Sequence, residues 1–411
     1  MQRTIHLALY GSLNYGPEDD LAWDIFQTEP LARLRDISLS SVPSRFAPHG
    51  MAASRFHHSV GVAHLANRVC DMRSGLRPYR HLLTCAALCH DIGSPPFSHI
   101  SELFFYDATG RTHEQQTKLL LAPGTELHSL MADYGVDGEE VVEVITGRHD
   151  PLGPLMAGTI DLDNLDNSLH LLVSLGYHDY QPYHPLRLLH AFGFRQGRLS
   201  LDSAYLADIL GWAEARRTLY GLLHAEPNLS SATMLYRAVE FAYAQGALDD
   251  AFFALGESDA LHHLRTRSGP QAALLVDLLE RWKQYSLVHF VETADEDPRL
   301  VGLYDDWQAR KSFADELAGQ LGLEAHEVAV YVGRDRGQKS ITLPFTGEHA
   351  SPAAQLFGHR RGPQRLAVFA HKRCRALHDS GDDGRVPAVA EAVDALVSEL
   401  PVAQKAGHIF F

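Results

Sequence analysis

The sequence predicts a mostly α-helical protein, a helical bundle followed by a small C-terminal α+β appendage. Two observations carry that expectation. From about Leu21 to Phe290 the apolar residues recur mostly three and four apart, the period of helices with one buried face. After residue 298 the pattern turns to short β-rich runs and one helical stretch. A third observation sets the scale: 411 residues with 45% hydrophobic and 21% charged positions can bury a large core in two or three domains.

Taken in order, residues 1–20 are expected to form a β-like segment, with a run Ile5–Gly11 and a turn through Gly16-Pro17. Residues 21–225 form the main helical domain, well exemplified by the periodic stretches Val60–Met72 and Leu82–His90. A helical extension, residues 226–292, includes the periodic stretch Gln271–Tyr285. The acidic Asp295-Glu296-Asp297 is read as a linker or a solvated turn. Residues 298–411 form the α+β unit, with strands at Val328–Gly333, Ile341–Phe345 and Arg365–Ala370 and a helix over Val386–Leu400.

Composition excludes several classes. A formal charge of −15 argues against gripping a nucleic-acid backbone, while leaving room for a local basic pocket. No apolar run approaches the roughly 18 residues a bilayer needs, and the start lacks the apolar stretch of a signal peptide. Four cysteines make no disulfide framework, so a cytoplasmic protein without membrane partners is expected. Histidine is the unusual residue, 25 of 411, with many in one N-terminal stretch.

Those histidines sit where chemistry is expected. His90-Asp91 ends the apolar run Leu82–Cys89 and is cut off by Gly93-Ser94-Pro95-Pro96. Neighbours on a helix point about 100° apart, but at a fraying end both can converge on one ion. Upstream, His58 opens a helix on the face of Val62 and Leu65. Downstream, Asp161, Asp163 and Asp166 punctuate an apolar helix, where an unpaired carboxylate would be costly. His58, His90, Asp91 and Asp163 would give two imidazoles and two carboxylates, a set suited to Mn, Fe, Ni, Co, Zn or Mg. Positions left open would take water and a phosphate oxygen.

Four ordered motifs now stand together: Arg55-Phe-His-His58-Ser-Val-Gly-Val, Cys89-His-Asp-Ile-Gly-Ser-Pro-Pro-Phe-Ser-His99, Thr112-His113-Glu114 and Asp161-Leu-Asp163-Asn-Leu-Asp166. This series resembles the HD superfamily of metal-dependent phosphohydrolases, and within it the deoxynucleoside triphosphate triphosphohydrolases, over roughly residues 1–290. The resemblance implies one divalent metal per chain on His58, His90, Asp91 and Asp163, with a metal-activated water attacking phosphorus. It implies acid/base and phosphate-contacting roles for His99 and His113, with Glu102 polarising His99. Arg55 and Arg216 would reach phosphate oxygens. A nucleotide or related phosphate ester as substrate, and a homo-oligomer, follow from the same likeness. Two other readings are an HD-type di-iron oxygenase, which needs further histidines such as His113 and His149, and a catalytically idle nucleotide sensor.

The chain also departs from that pattern. Ser94 stands for a histidine, Asn164 for a basic residue after the metal aspartate, Asn167 for a tyrosine and Leu171 for an aspartate. Leu39-Ser40 replaces a Gln-Leu pair that meets base and sugar in relatives. Two fewer basic groups predict a preference for a less charged ester than a deoxynucleoside triphosphate.

Elsewhere plainer readings are expected. Cys85 and Cys89 should pack a buried helix, and His57 should point away from His58. The capping box Thr112–Gln115 should start a helix. His262-His263 and His359-Arg360-Arg361 should be solvated. The aromatic stretch Tyr177–His184 should either pack a loop or wall a base.

Overall fold

The computed structural model describes residues 3–46, 53–294, 297–337, 339–357, 362–373 and 387–401. Among these, twenty α-helices and three small sheets make a mostly helical protein with a C-terminal α+β part, as the sequence predicts. The residues Asp295-Glu296, His359-Arg360-Arg361 and Cys374 lie outside the described ones.

The centre of the body is the helix Arg55–Met72, packed against the helices Arg80–Cys89 and Leu162–Ser174. Val60, Val62, Leu65, Leu83, Cys85, Cys89, Leu165 and Leu169 are buried between them. The thiols of Cys85 and Cys89 are pushed up by burial, as expected of packing residues rather than ligands. Ser54 caps the first helix by accepting from the His57 amide, and Asp161 caps the third by accepting from the Asn164 amide. Thr112 and Gln115 form the expected capping box.

Several strands depart from the expected pattern. Ile5–Gly11 is not one strand: β1 (Arg3–Leu7) and β2 (Gly11–Tyr15) form a hairpin that Gly11 turns at a positive φ of 71°. A second hairpin, β3 (Phe192–Arg195) and β4 (Arg198–Asp202), interrupts the helical body. Gln196 and Gly197 both have positive φ, the geometry of a tight two-residue hairpin turn. β5 (Ser286–Thr293) lies where the helical period was expected to run to Phe290.

The strand expected at Ile341–Phe345 shrinks to β7 (Phe345–Thr346), parallel to β4. Pro344 has no amide to donate, although its carbonyl accepts from the Leu201 amide at 2.9 Å. β6 (Val328–Arg334) and β8 (Gln364–Ala370) lie where expected. They join β5 in an antiparallel sheet of order β5-β8-β6.

Alternation along β6 assigns its two faces. Val328, Val330 and Val332 pack with Phe313, Leu317, Val389 and Val393 from the helices Trp307–Gln320 and Pro387–Glu399. Ala329 belongs instead to the core of the body, against the helix Glu226–Ala244. The C-terminal sheet is therefore clamped onto the body, and the end of β6 reaches the cavity described next. No helix among the described residues is long and apolar enough to cross a membrane.

Candidate active site

A cavity of about 790 Å³ opens between the three central helices and the C-terminal sheet. His58, His90, Asp91, His99, Glu102, His113, Asp163, Arg55 and Arg216 all line it, so every expected site residue reaches one space.

Local sequence explains the floor. His58 is buried one turn into its helix and its Nδ1 lies 2.7 Å from Asp166 Oδ1. A carboxylate can only accept, so Nδ1 carries the proton and Nε2 offers a lone pair. His90 is set the same way: its Nδ1 donates to the Ala87 carbonyl at 2.8 Å. The two Nε2 atoms then face each other at 3.3 Å, and Asp163 Oδ1 stands 3.0 Å from His58 Nε2. One atom each from His58, His90 and Asp163 lie within 4.8 Å of one another.

With His58 Nε2 unprotonated the three are acceptors that repel, and either a proton or a divalent cation among them removes the conflict. The charge balance agrees. Burial opposes protonation of His58, yet hydrogen bonds to Asp163 and Asp166, with their charges, raise it to about 10. The site demands positive charge, which a cation supplies in place of a proton.

Asp91 stands at the edge of this group. Its Oδ1 pairs with Arg55 at 2.5 Å, and its Oδ2 lies 3.5 Å from His90 Nε2. That Oδ2 is buried without a hydrogen-bond partner, an orphan that a metal would satisfy. Burial would raise Asp91, but Arg55 beside it holds it well below the usual carboxylate range. Asp161 is a helix cap that also accepts from the Asn164 side chain at 2.7 Å, and burial raises it to about 7.

Two glycines permit these approaches. A Cβ on Gly61 would lie 2.1 Å from Asp166 Oδ2, and one on Gly93 2.2 Å from the His113 carbonyl. Past Pro95-Pro96, Phe97 and Ser98 adopt positive φ of 64° and 48°. A left-handed non-glycine residue costs about 1–2 kcal/mol. In that turn the Ser98 hydroxyl accepts from Arg55 Nε at 2.8 Å, and His99 follows on the cavity wall.

Glu102 does more than expected. Its two oxygens lie 2.9 Å from His99 Nδ1 and 2.9 Å from His113 Nδ1, so it holds both imidazoles and not His99 alone. Burial would raise Glu102, but the two histidines depress it strongly. Burial would lower His113, and the Glu102 bond instead raises it to about 9. His113 Nε2 lies 3.8 Å from Glu114 Oε1.

Other histidines stand apart. His57 turns to the Ser54 hydroxyl at 3.0 Å, as expected. His149 packs against Tyr79, away from the cavity, and His113 is committed to Glu102. Neither belongs to the converging group, so the extra ligands of a di-iron reading are not brought there. His262 is solvated, whereas His263 donates or accepts at the Ala247 carbonyl. Tyr183 donates to the Leu165 carbonyl, a loop-packing role.

Sequence reasoning missed the far wall. Arg334, Arg336 and Lys339, just past and at the end of β6, line the same cavity. An adjoining chamber of about 290 Å³ is more apolar, with Leu103, Leu171, Leu223, Tyr236, Tyr304 and Tyr331 among its walls. Leu39 borders both spaces, and Ser40 borders the chamber.

Comparison with known proteins agrees with this geometry. Residues 55–169 match the HD domain family. An uncharacterised Bacillus subtilis protein, YwfO, is 27% identical over 67% of this chain and 69% of its own length. The deoxynucleoside triphosphate triphosphohydrolase SAMHD1 of Bos taurus is 31% identical, but over 35% of this chain and 27% of its own length. Its Dictyostelium discoideum homologue is 30% identical over 32% of this chain, again spanning 27% of the relative. Among solved structures, a phosphohydrolase from Bacteroides thetaiotaomicron superposes with a TM-score of 0.66 at 18% identity, covering 91% of this chain and 100% of the other. A hypothetical protein from Aquifex aeolicus gives 0.69 at 17% identity, covering 96% and 100%. At those identities the two structures speak for the fold alone. The matched segment, Arg55 to the helix carrying Asp163 and Asp166, holds the whole floor of the cavity; over it the chain carries the HD domain and resembles the HD-domain deoxynucleoside triphosphate triphosphohydrolases.

Proposed function

We propose that the protein is a metal-dependent phosphohydrolase acting on a nucleotide or a related phosphate ester. The observation that carries this reading is the meeting of His58 Nε2, His90 Nε2 and Asp163 Oδ1, three acceptors with Asp91 Oδ2 beside them. A divalent cation held by these four residues would neutralise phosphoryl charge and lower the pKa of a water.

The chain's own groups divide the remaining work. Arg55, anchored by Asp91 and Ser98, presents its guanidinium beside the floor. Arg216 is held over Tyr220 with its Nη1 donating to Asn164 Oδ1 at 2.8 Å, and faces the same space. Both are placed to meet phosphate oxygens, for which the guanidinium fork is suited. His113, positively charged at neutral pH, donates through Nε2 to a phosphate or leaving-group oxygen. His99, oriented by the same Glu102, is the second proton-handling group. The apolar chamber receives the organic part of the substrate, consistent with the composition of small-molecule sites.

The test is a panel of nucleoside mono-, di- and triphosphates and simple phosphate esters with Mn, Mg, Co, Ni, Fe or Zn. Released phosphate, pyrophosphate and triphosphate are quantified separately. Metal-dependent release that a chelator stops is the expected result. Failure of every ester with every metal, in protein that binds metal, would sink the reading.

A further inference from the structure

We propose that Arg334, Arg336 and Lys339 are phosphate-binding residues, with Lys339 supplying from the C-terminal unit the cation this chain lacks at Asn164. The proposal rests on the reading of the cavity as a phosphate-ester site, and it names the number of phosphates that site holds.

Placement is the first argument. The three side chains line the cavity opposite the floor of histidines and carboxylates. Backbone contacts fix residues 335–337, which include Arg336 and lie between Arg334 and Lys339. The Asp335 amide donates to the Pro363 carbonyl at 3.0 Å, and the Gly337 amide to Asp335 Oδ1 at 2.7 Å. A Cβ on Gly362 would come 1.9 Å from the Asp335 carbonyl, so the chain just before β8 can lie this close only as glycine. Asp335 Oδ2 accepts from Arg365 at 2.8 Å, which takes up its charge.

Docking is the second. Arg216 Nη2 donates to the Arg336 carbonyl at 2.9 Å, and Lys339 Nζ reaches the Gly158 carbonyl at 3.4 Å. This segment is thus tied to the wall that carries Arg216 and to the loop that leads to Asp163. Arg336 also donates to the Tyr304 hydroxyl at 3.1 Å, where the cavity meets the apolar chamber.

Charge is the third. Asn164, in the position of a missing basic residue, spends its side chain on Asp161 and Arg216 and carries no charge itself. Lys339 has Asp161, Asp163, Arg216 and Arg336 as its charged neighbours, so it brings a cation to the place where the helix offers none. The carboxylates facing these cations are partly committed: Asp91 to Arg55, and Glu102 to His99 and His113.

The expectation of a weakly charged ester counted only residues 1–290. With the far wall included, the site matches a substrate carrying two or more linked phosphates better than a monoester.

Inorganic tripolyphosphate and orthophosphate are the probes, their binding to the full chain measured calorimetrically with and without metal. Tripolyphosphate should bind more tightly than orthophosphate. Lys339→Met and Arg336→Gln should each weaken tripolyphosphate by about 10- to 100-fold, the loss of one or two charge-assisted bonds, with orthophosphate much less affected. Adding Asn164→Lys to Lys339→Met should recover most of the loss. A folded double variant that stays weak would overturn the stand-in role of Lys339. Arg336→Gln does not disturb the Asp161 region, so it reports even if Lys339→Met unfolds. Wild-type tripolyphosphate affinity in both single variants overturns the proposal outright. Variants that lose tripolyphosphate in a protein that hydrolyses no ester would instead uphold this site and remove the hydrolase reading.

Discussion

The floor of the cavity and its far wall are built from different kinds of sequence. His58, His90, Asp91 and Asp163 lie within 106 positions of one another, on or at the ends of three helices that pack directly together. Three of them have a partner that sets their orientation: Asp166 for His58, Ala87 for His90 and Arg55 for Asp91. Arg334, Arg336 and Lys339 come from the end of β6 and the residues just past it, more than 160 positions beyond Asp163, where Asp335 packs against Gly362 and Pro363. A group that must hold a metal needs converging neighbours and leaves a motif. A group that only adds charge can arrive singly from anywhere in the chain.

That contrast can be broken first at the floor. His90→Ala or Asp91→Ala should strip the metal and lower turnover by about 10⁴-fold or more, because the lowered pKa of a bound water is lost. Circular dichroism should stay helical, and elemental analysis checks the metal. Full turnover by metal-free Asp91→Ala protein would mean that the floor is not a metal centre.

His113 gives the next effect. His113→Ala should lower turnover by about 10²–10⁴-fold with metal content nearly unchanged. Its folded pKa, about 9, is raised above the ordinary value of about 6.5. The imidazolium and the stability of its Glu102 bond are therefore fully present below about pH 6.5, and both are lost as the pH rises through about 9. Turnover should decline along that alkaline limb, and His113→Asn should remove the limb. Loss of metal from His113→Ala would instead make it a ligand and favour a dinuclear centre.

The smallest effect on chemistry is expected at the junction of the two regions. Arg237, on the helix Glu226–Ala244 and 2% exposed, pairs with Glu240 and with Asp315 of the C-terminal unit. It also donates to the Ala325 carbonyl at 2.9 Å. Arg237→Met leaves a buried carboxylate unpaired and should cost about 3–5 kcal/mol in denaturant unfolding. Metal content should not change, since no ligand touches this junction. A variant that loses metal in proportion to stability would show that wall and floor fold as one cooperative unit.

Much of this was legible beforehand, and for a physical reason. Helical period, glycine and proline punctuation, and caps such as Thr112–Gln115 act over a few residues, so the helical body could be read directly. The candidate metal motif was readable because four motifs stand in order and together resemble one superfamily. The hairpin pairing of the expected N-terminal β segment, β3–β4 and β5 escaped because short strands carry little periodic signal, and β5 pairs with a strand far along the chain.

By itself, then, the sequence determined the helical body, the order of the candidate ligands and the likeness to one superfamily, since these arise from local spacing and side-chain chemistry. Only the tertiary structure decided that Glu102 holds two histidines. It alone decided that three cations from the tail face the same cavity. Those are distances across the core, and no spacing along the chain encodes them until the sheet has docked on the body.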